Sequence, residues 1–139
     1  MTSEDNSLMS SPYVKPVVSL VLLMCIAAGC SKSLTRSRLV RTYGMEHENG
    51  AETITLKDDG TYSHHFKAVN GSETTYSDKW EFVSSDPGPA VVVHNFAPHF
   101  PGNTWVRGAW SLGIKEDYGL IRLYLSHEPR QFYLEERPN

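Results

Sequence analysis

The sequence contains only two cysteines, Cys25 and Cys30, and none in residues 31–139. Residues 31–139 therefore cannot form a disulfide, a thiolate zinc site or a cysteine nucleophile. A domain built from these residues depends on packing and hydrogen bonding, even in an oxidising compartment where disulfides persist.

Long apolar runs are also missing. The longest extends from Val17 to Gly29 and is shorter than the roughly 20 residues that a membrane-spanning helix needs. Lys15 precedes this run and small residues end it, which is the three-part pattern of an export signal. The pattern predicts a signal helix that is cut off, and a leader that begins at Met1 or Met9. A secreted protein without lipid and an uncut signal anchor are the alternatives.

The end of the apolar run, Ala27-Ala28-Gly29-Cys30, resembles the cleavage box of bacterial lipoproteins, although Ala27 stands where that family prefers leucine. The resemblance implies cleavage between Gly29 and Cys30 and lipid on Cys30, which would hold the protein on a membrane. It divides the chain into a signal peptide (1–29), a lipidated cysteine with a tether (30–38) and one β-domain (39–139). In the family's sorting rule, Ser31 rather than aspartate after the cysteine implies the outer membrane of the bacterial cell envelope, facing the periplasm.

Neither sign of charge predominates, because the formal net charge is only −3 over 139 residues. Arg36, Arg38 and Arg41 form the only local basic cluster. A nucleic-acid partner is not expected, since phosphate binding requires clustered Lys and Arg. The three arginines suit either a solvated linker or weak attraction to anionic lipid head groups.

Residues beyond the tether alternate between short β-prone runs and turn signals, with no long helical period. The best-defined piece is a hairpin in which Glu52–Leu56 and Thr61–Phe66 flank a turn at Asp59-Gly60. The other expected strands are 39–47, 73–83, 91–96, 105–114 with a bulge at Gly108, 120–126 and 131–135, and 84–89 and 97–104 are expected loops. This pattern predicts an all-β fold, a small antiparallel meander or barrel of about eight strands.

The hairpin carries a second resemblance. Gly50–Leu56 followed by Asp59-Gly60-Thr61-Tyr62, and later Lys79-Trp80-Glu81-Phe82, resembles the opening of lipocalin-like small lipoproteins. In that family a turn of leucine, aspartate, glycine, threonine and an aromatic residue precedes a strand with tryptophan and a second aromatic residue. The resemblance covers about a third of the chain and implies a lipocalin-like barrel. A lipid-anchored barrel also resembles lysozyme-inhibitor lipoproteins in outline, without a shared motif.

Candidate sites for metal binding or catalysis find little support. The six histidines are His47, His64, His65, His94, His99 and His127. Adjacent His64 and His65 point to opposite faces of a strand, and the others lack ligand-pair spacing, so no metal and no cofactor are expected. Glu46, Glu48 and Glu52 cluster near one turn, as charged hairpin ends do by default. With no nucleophile elbow or phosphate-binding loop, the sequence does not predict an enzyme.

Three tryptophans, Trp80, Trp105 and Trp110, could line a site for a small ligand, but core packing is the preferred interpretation in so small a barrel. The expected function is a lipid-anchored binding or scaffolding domain. One alternative is a periplasmic carrier or sensor of a small apolar ligand. The other is an inhibitor or assembly factor that presents residues 84–89 or 97–104 to another envelope protein.

Overall fold

The structure, a computed structural model, describes residues 33–85, 88–101, 106–125 and 132–138. The predicted signal helix, the cleavage position at Gly29 and Cys30, Trp105 and His127 lie outside the described residues. Among the residues described, no helix has the length and hydrophobicity required to cross a membrane.

Eight antiparallel strands pair in sequence order and close into a barrel, since β1 also pairs with β8. The strands are β1 Thr42–His47, β2 Gly50–Leu56, β3 Thr61–Ala68, β4 Glu73–Ser85, β5 Gly88–Phe96, β6 Gly108–Asp117, β7 Leu120–Tyr124 and β8 Tyr133–Glu136. Closure pairs the strands at both edges of the sheet. The all-β prediction of about eight strands is thereby confirmed.

The hairpin of β2 and β3 forms as predicted. Gly60 has a φ of 84°, which suits glycine because a Cβ is disfavoured there. The Asp59 carboxylate accepts hydrogen bonds from the Thr61 N–H at 2.8 Å and the Thr61 hydroxyl at 2.7 Å. These bonds hold the pKa of Asp59 below its ordinary value. The turn is thus fixed by its own residues.

The predicted loop at 84–89 is wrong, because the two strands extend into it. Ser84 pairs with Pro89 and Ser85 with Gly88, so that only residues 86 and 87 lie between β4 and β5. The β5–β6 ladder begins at Ala90. Pro89 therefore lies outside the β5–β6 ladder. Its missing backbone N–H leaves no carbonyl group of β6 without a hydrogen bond.

The predicted bulge lies on the neighbouring strand. The register of β5 against β6 shifts between Val93 and Phe96, and Asn95 has a positive φ of 53°. Gly108 is the residue opposite Phe96 rather than the bulged one. In addition, β6 continues to Asp117, where the sequence indicated a turn from Lys115.

Inward-facing side chains fill the barrel. Its core consists of Leu39, Tyr43, Ile54, Leu56, Tyr62, Trp80, Val91, Val93, Phe96, Phe100, Leu112, Ile121, Leu123, Leu125 and Leu134, each at most 5 % exposed. Alternation along the strands produces this pattern, since every second residue points inward. The interior is therefore occupied by the protein's own side chains, as small barrels require.

The segment before β1 contacts the barrel. Arg36–Leu39 is a short 3₁₀ helix whose Arg36 guanidinium lies 4.8 Å from the Trp80 ring centroid. The Arg38 guanidinium donates two hydrogen bonds, of 2.9 and 2.8 Å, to the Glu116 carboxylate. The sequence left a solvated linker or attraction to lipid head groups open for these arginines. In the structure they join the chain to the end of the barrel that carries the β2–β3 and β6–β7 turns.

Candidate functional site

The opposite end of the barrel holds a buried carboxylate surrounded by three histidines. The side chains of Glu52 and His64 are fully buried, His47 is 4 % exposed and His99 is 31 % exposed. Buried ionisable groups are uncommon in a core because desolvation penalises charge unless partners compensate. The sequence analysis expected scattered surface and loop histidines, and burial of His47 and His64 corrects that expectation.

Strand alternation places Glu52 and His64 inside. Glu52 shares the inward face of β2 with Ile54 and Leu56, and His64 lies on the inward face of β3. Ile54 pairs with His64 and Glu52 with Phe66, so that Glu52 and His64 are diagonal neighbours across the hairpin. His64 and His65 point to opposite faces, as predicted, and His65 lies on the outer surface, where it contacts Glu73.

His99 reaches the cluster on an irregular segment, residues 97–101, that follows β5. The Ala97 N–H donates to the Tyr76 hydroxyl at 2.9 Å, and that hydroxyl donates to the Ala97 carbonyl at 3.0 Å. Phe100, 2 % exposed, packs into the core beyond. The segment is thus fixed on both sides of His99, whose own carbonyl accepts a hydrogen bond from the Asn49 side chain at 3.0 Å.

One carboxylate oxygen of Glu52 receives most of the contacts. Oε1 lies 2.6 Å from His64 Nε2, accepts the His99 backbone N–H at 3.2 Å and lies 3.3 Å from His99 Nδ1. Within the part of the chain that the structure describes, neither Oε2 nor Nδ1 of His64 has a hydrogen-bond partner. Oε1 of Glu52 therefore lies close to three nitrogen atoms, whereas Oε2 is buried without a hydrogen-bond donor among the described residues.

The third histidine, His47, lies on the side of Glu52 Oε2. Its Nε2, also without a hydrogen-bond partner among the described residues, lies 3.8 Å from Glu52 Oε2. Because Nδ1 accepts the Asn49 N–H at 3.2 Å, the proton of the neutral ring resides on Nε2 and points toward the carboxylate. Burial lowers the pKa of His47, and the Glu52 charge opposes that shift. A neutral His47 follows at neutral pH.

Aromatic rings enclose the cluster. The His99 ring stacks on Phe66 with centroids 4.1 Å apart, and the His64 ring lies 4.6 Å from Tyr76 and 5.0 Å from Phe96. His64 and His99 stack at 5.6 Å. Apolar walls of this kind lower the local dielectric and strengthen any charge interaction within.

An open groove of about 470 Å³ lies at this end. It is lined by Asn49, Phe66, Ala68, Val69, Asn70, Pro98, His99 and Phe100. Val69 is 78 % exposed, and its N–H donates to the Asn49 carbonyl at 3.0 Å, which links two turns of the rim. We call residues 47–50, 66–72 and 97–101 the His99 end of the barrel.

Of the three tryptophans that could line a ligand site, Trp105 lies outside the described residues, and Trp80 and Trp110 lie on different strands. Trp80, 2 % exposed, packs in the core, and Trp110 lies across β5 from it, since both are opposite Val93. Glu46 and Glu48, considered with Glu52 as paired carboxylates, are exposed. The burial of Trp80 supports core packing over ligand lining for this residue.

Two members of the cluster, Glu52 and His64, could have been placed inside the barrel from the sequence. Extending the alternation of Ile54 and Leu56 by one step puts Glu52 inside, and the same rule applied from Tyr62 puts His64 inside. His99 had no such signal because it follows a bulge and a segment without regular structure. Comparisons of the chain with protein-family models, curated proteins and solved structures found no match.

Proposed function

We propose that this chain is a lipid-anchored protein of the bacterial cell envelope, related in build to lipocalin-like lipoproteins. Its barrel would bind a partner at the His99 end without catalysing a reaction. The lipobox-like residues 27–30 support the anchor. A diacylglyceryl group with a further acyl chain on Cys30 supplies the two or more hydrophobic chains that stable attachment requires. Ser31 favours the outer membrane, facing the periplasm.

The observation that carries the binding role is the position of the open groove. The chain enters the barrel beside Asp58 and Glu116, whereas the groove and the half-exposed His99 lie at the other end. A protein tethered through its N-terminal segment presents the far end to the periplasm most readily. Of the two segments expected from sequence to present a partner surface, 84–89 and 97–104, the second lies at this end through its described residues 97–101.

The carrier alternative has weaker support. A carrier of an apolar ligand requires space lined by apolar side chains, and the inward positions of this barrel are occupied by packed core residues. Trp80 is held there by a hydrogen bond from its Nε1–H to the Lys57 carbonyl. Partner binding at the His99 end, as an inhibitor or assembly factor does, is therefore preferred to ligand carriage inside.

Two experiments test the proposal. Labelling of cells with a fatty-acid analogue should tag the wild type and Cys25→Ser but not Cys30→Ser. For binding, a photo-crosslinking residue placed at Val69 should trap one defined envelope species. The same residue at Tyr118, which is fully exposed in the β6–β7 turn, is the matched control. Fatty-acid labelling of the Cys30→Ser variant would contradict lipid attachment at Cys30. Equal crosslinking from Val69 and Tyr118 would contradict partner binding at the His99 end.

A further inference from the structure

We propose that Glu52, His64 and His99 form a binding site for a divalent transition-metal ion of the zinc type. The inference deepens the proposed function, because the site lies beneath the groove of the His99 end. One ligand atom from each residue can be chosen so that all three lie within 4.8 Å of one another. Two imidazoles and one carboxylate, with a fourth position open, are a ligand set that suits zinc.

Two of the three ligand-atom distances lie within about 1 Å of those in a zinc site, and the third, between His64 and His99, is at most 4.8 Å. Zinc binds nitrogen and oxygen at about 2.0–2.2 Å, so tetrahedral ligand atoms stand about 3.3 Å apart. Glu52 Oε1 and His99 Nδ1 are already 3.3 Å apart. Oε1 and His64 Nε2 are 2.6 Å apart and would separate by roughly 0.7 Å to admit the ion.

Binding of the ion at His64 Nε2 requires the ring proton to move to Nδ1. Among the described residues Nδ1 has no hydrogen-bond partner, so the move breaks only the bond to Glu52, which the bond to the ion replaces, and it leaves a buried N–H whose cost the ion must also offset. Glu52 Oε2 is likewise buried and unpartnered. Positive charge placed beside this carboxylate offsets the desolvation cost that its present contacts only partly offset.

His47 acts on the carboxylate and not on the ion. Its Nε2 proton points toward Glu52 Oε2 at 3.8 Å, and the Asn49 N–H bond to Nδ1 fixes that tautomer. A separation of 3.8 Å is too long for a hydrogen bond, so His47 contributes the electrostatic field of its ring and not a fixed contact to the carboxylate.

The ligand types also select the ion. Calcium and magnesium prefer sites made of oxygen ligands, whereas imidazole suits zinc, copper, iron and nickel. The 31 % exposure of the His99 side chain gives access from the groove and leaves room for a solvent or partner ligand in the fourth position.

The test uses the full chain with Cys25→Ser and Cys30→Ser, which removes both thiols, purified in detergent. Titration calorimetry with Zn²⁺ should show one saturable site, and Co²⁺ should give visible d–d absorption that Zn²⁺ displaces. Mg²⁺ should produce neither signal. Bound Zn²⁺ should also raise the melting temperature, since a ligand that binds only the folded state stabilises it.

Matched variants decide which residues hold the ion. His99→Gln, at a half-exposed position, should leave the circular dichroism spectrum intact and lower Zn²⁺ affinity at least about tenfold. His94→Gln is the control, because His94 also faces a glutamate, Glu81 at 3.0 Å, but on the outer surface. Glu52→Gln should abolish the site if it folds.

Two results would overturn the metal site: no saturable Zn²⁺ or Co²⁺ binding by the folded chain, or equal affinity in His99→Gln and the parent. The cluster would then be a hydrogen-bonded network that fixes residues 97–101. Neither result bears on lipid labelling at Cys30 or on crosslinking from Val69. Failure of the metal site and failure of the proposed function are thus distinguishable.

Discussion

The indole Nε1–H of Trp80 donates a hydrogen bond of 2.8 Å to the backbone carbonyl of Lys57. The Trp80 backbone N–H donates to the Gly60 carbonyl at the same distance. One residue of β4 thereby holds both sides of the β2–β3 turn, and the Arg36 guanidinium covers its ring. Trp80 joins the N-terminal segment, the turn and the core.

Replacing Trp80 tests whether it is structural. Trp80→Ala should lower the free energy of unfolding by about 3–5 kcal/mol, the usual loss for a buried aromatic side chain. Urea denaturation followed by circular dichroism measures the loss. Trp80→Phe keeps an aromatic ring in the core but removes the Nε1–H bond and part of the buried indole, so that it should cost less than Trp80→Ala. A Trp80→Ala protein that melts within a few degrees of wild type contradicts the packed-core assignment and favours the carrier alternative.

The β2–β3 turn depends on Gly60. Because its φ of 84° lies where β-branched residues fit poorly, Gly60→Val should destabilise the domain by more than about 1 kcal/mol. Gly113→Ala is the matched control: a Cβ there meets only the Tyr124 Cβ at 4.0 Å. Equal melting temperatures for wild type and Gly60→Val would mean that this turn is not formed as described.

The Asp59 carboxylate predicts a pH dependence. Hydrogen bonds from Thr61 favour its charged form and lower its pKa from the ordinary value of 3.8. The stabilisation is therefore present above about pH 4 and is lost as the pH falls toward the depressed folded-state pKa. Thr61→Val removes the hydroxyl donor. The difference in melting temperature between wild type and this variant should shrink from pH 6 to pH 3, and a difference that grows on acidification would contradict the assignment.

The fold should form without metal or disulfide. The barrel closes through its ladders and an apolar core, and Glu52 already has hydrogen-bonding partners without an ion. The full chain with both cysteines replaced should retain a β-rich circular dichroism spectrum in chelator and in reductant. Chelator should only lower the melting temperature of a metal-loaded sample. Unfolding on addition of chelator would instead mean that metal binding and folding are one process.

Local chemistry determined the parts of this protein that the sequence predicted correctly. Asp59-Gly60 and Asn70-Gly71 are turns whose geometry depends on one or two residues, and both glycines have positive φ. Alternation put Ile54, Leu56 and Trp80 on inward faces. A period of two and a short turn signal need no knowledge of distant residues, so that strand number and fold class followed from them.

Only the tertiary structure decided where distant residues meet. The meeting of Glu52, His64 and His99 depends on the β2–β3 register, on the bulge at Asn95 and on the path of residues 97–101. The bulge and the path of residues 97–101 are set by packing across the barrel, because side chains far apart in sequence compete for the same interior space. The β2–β3 register, by contrast, follows from the Asp59-Gly60 turn.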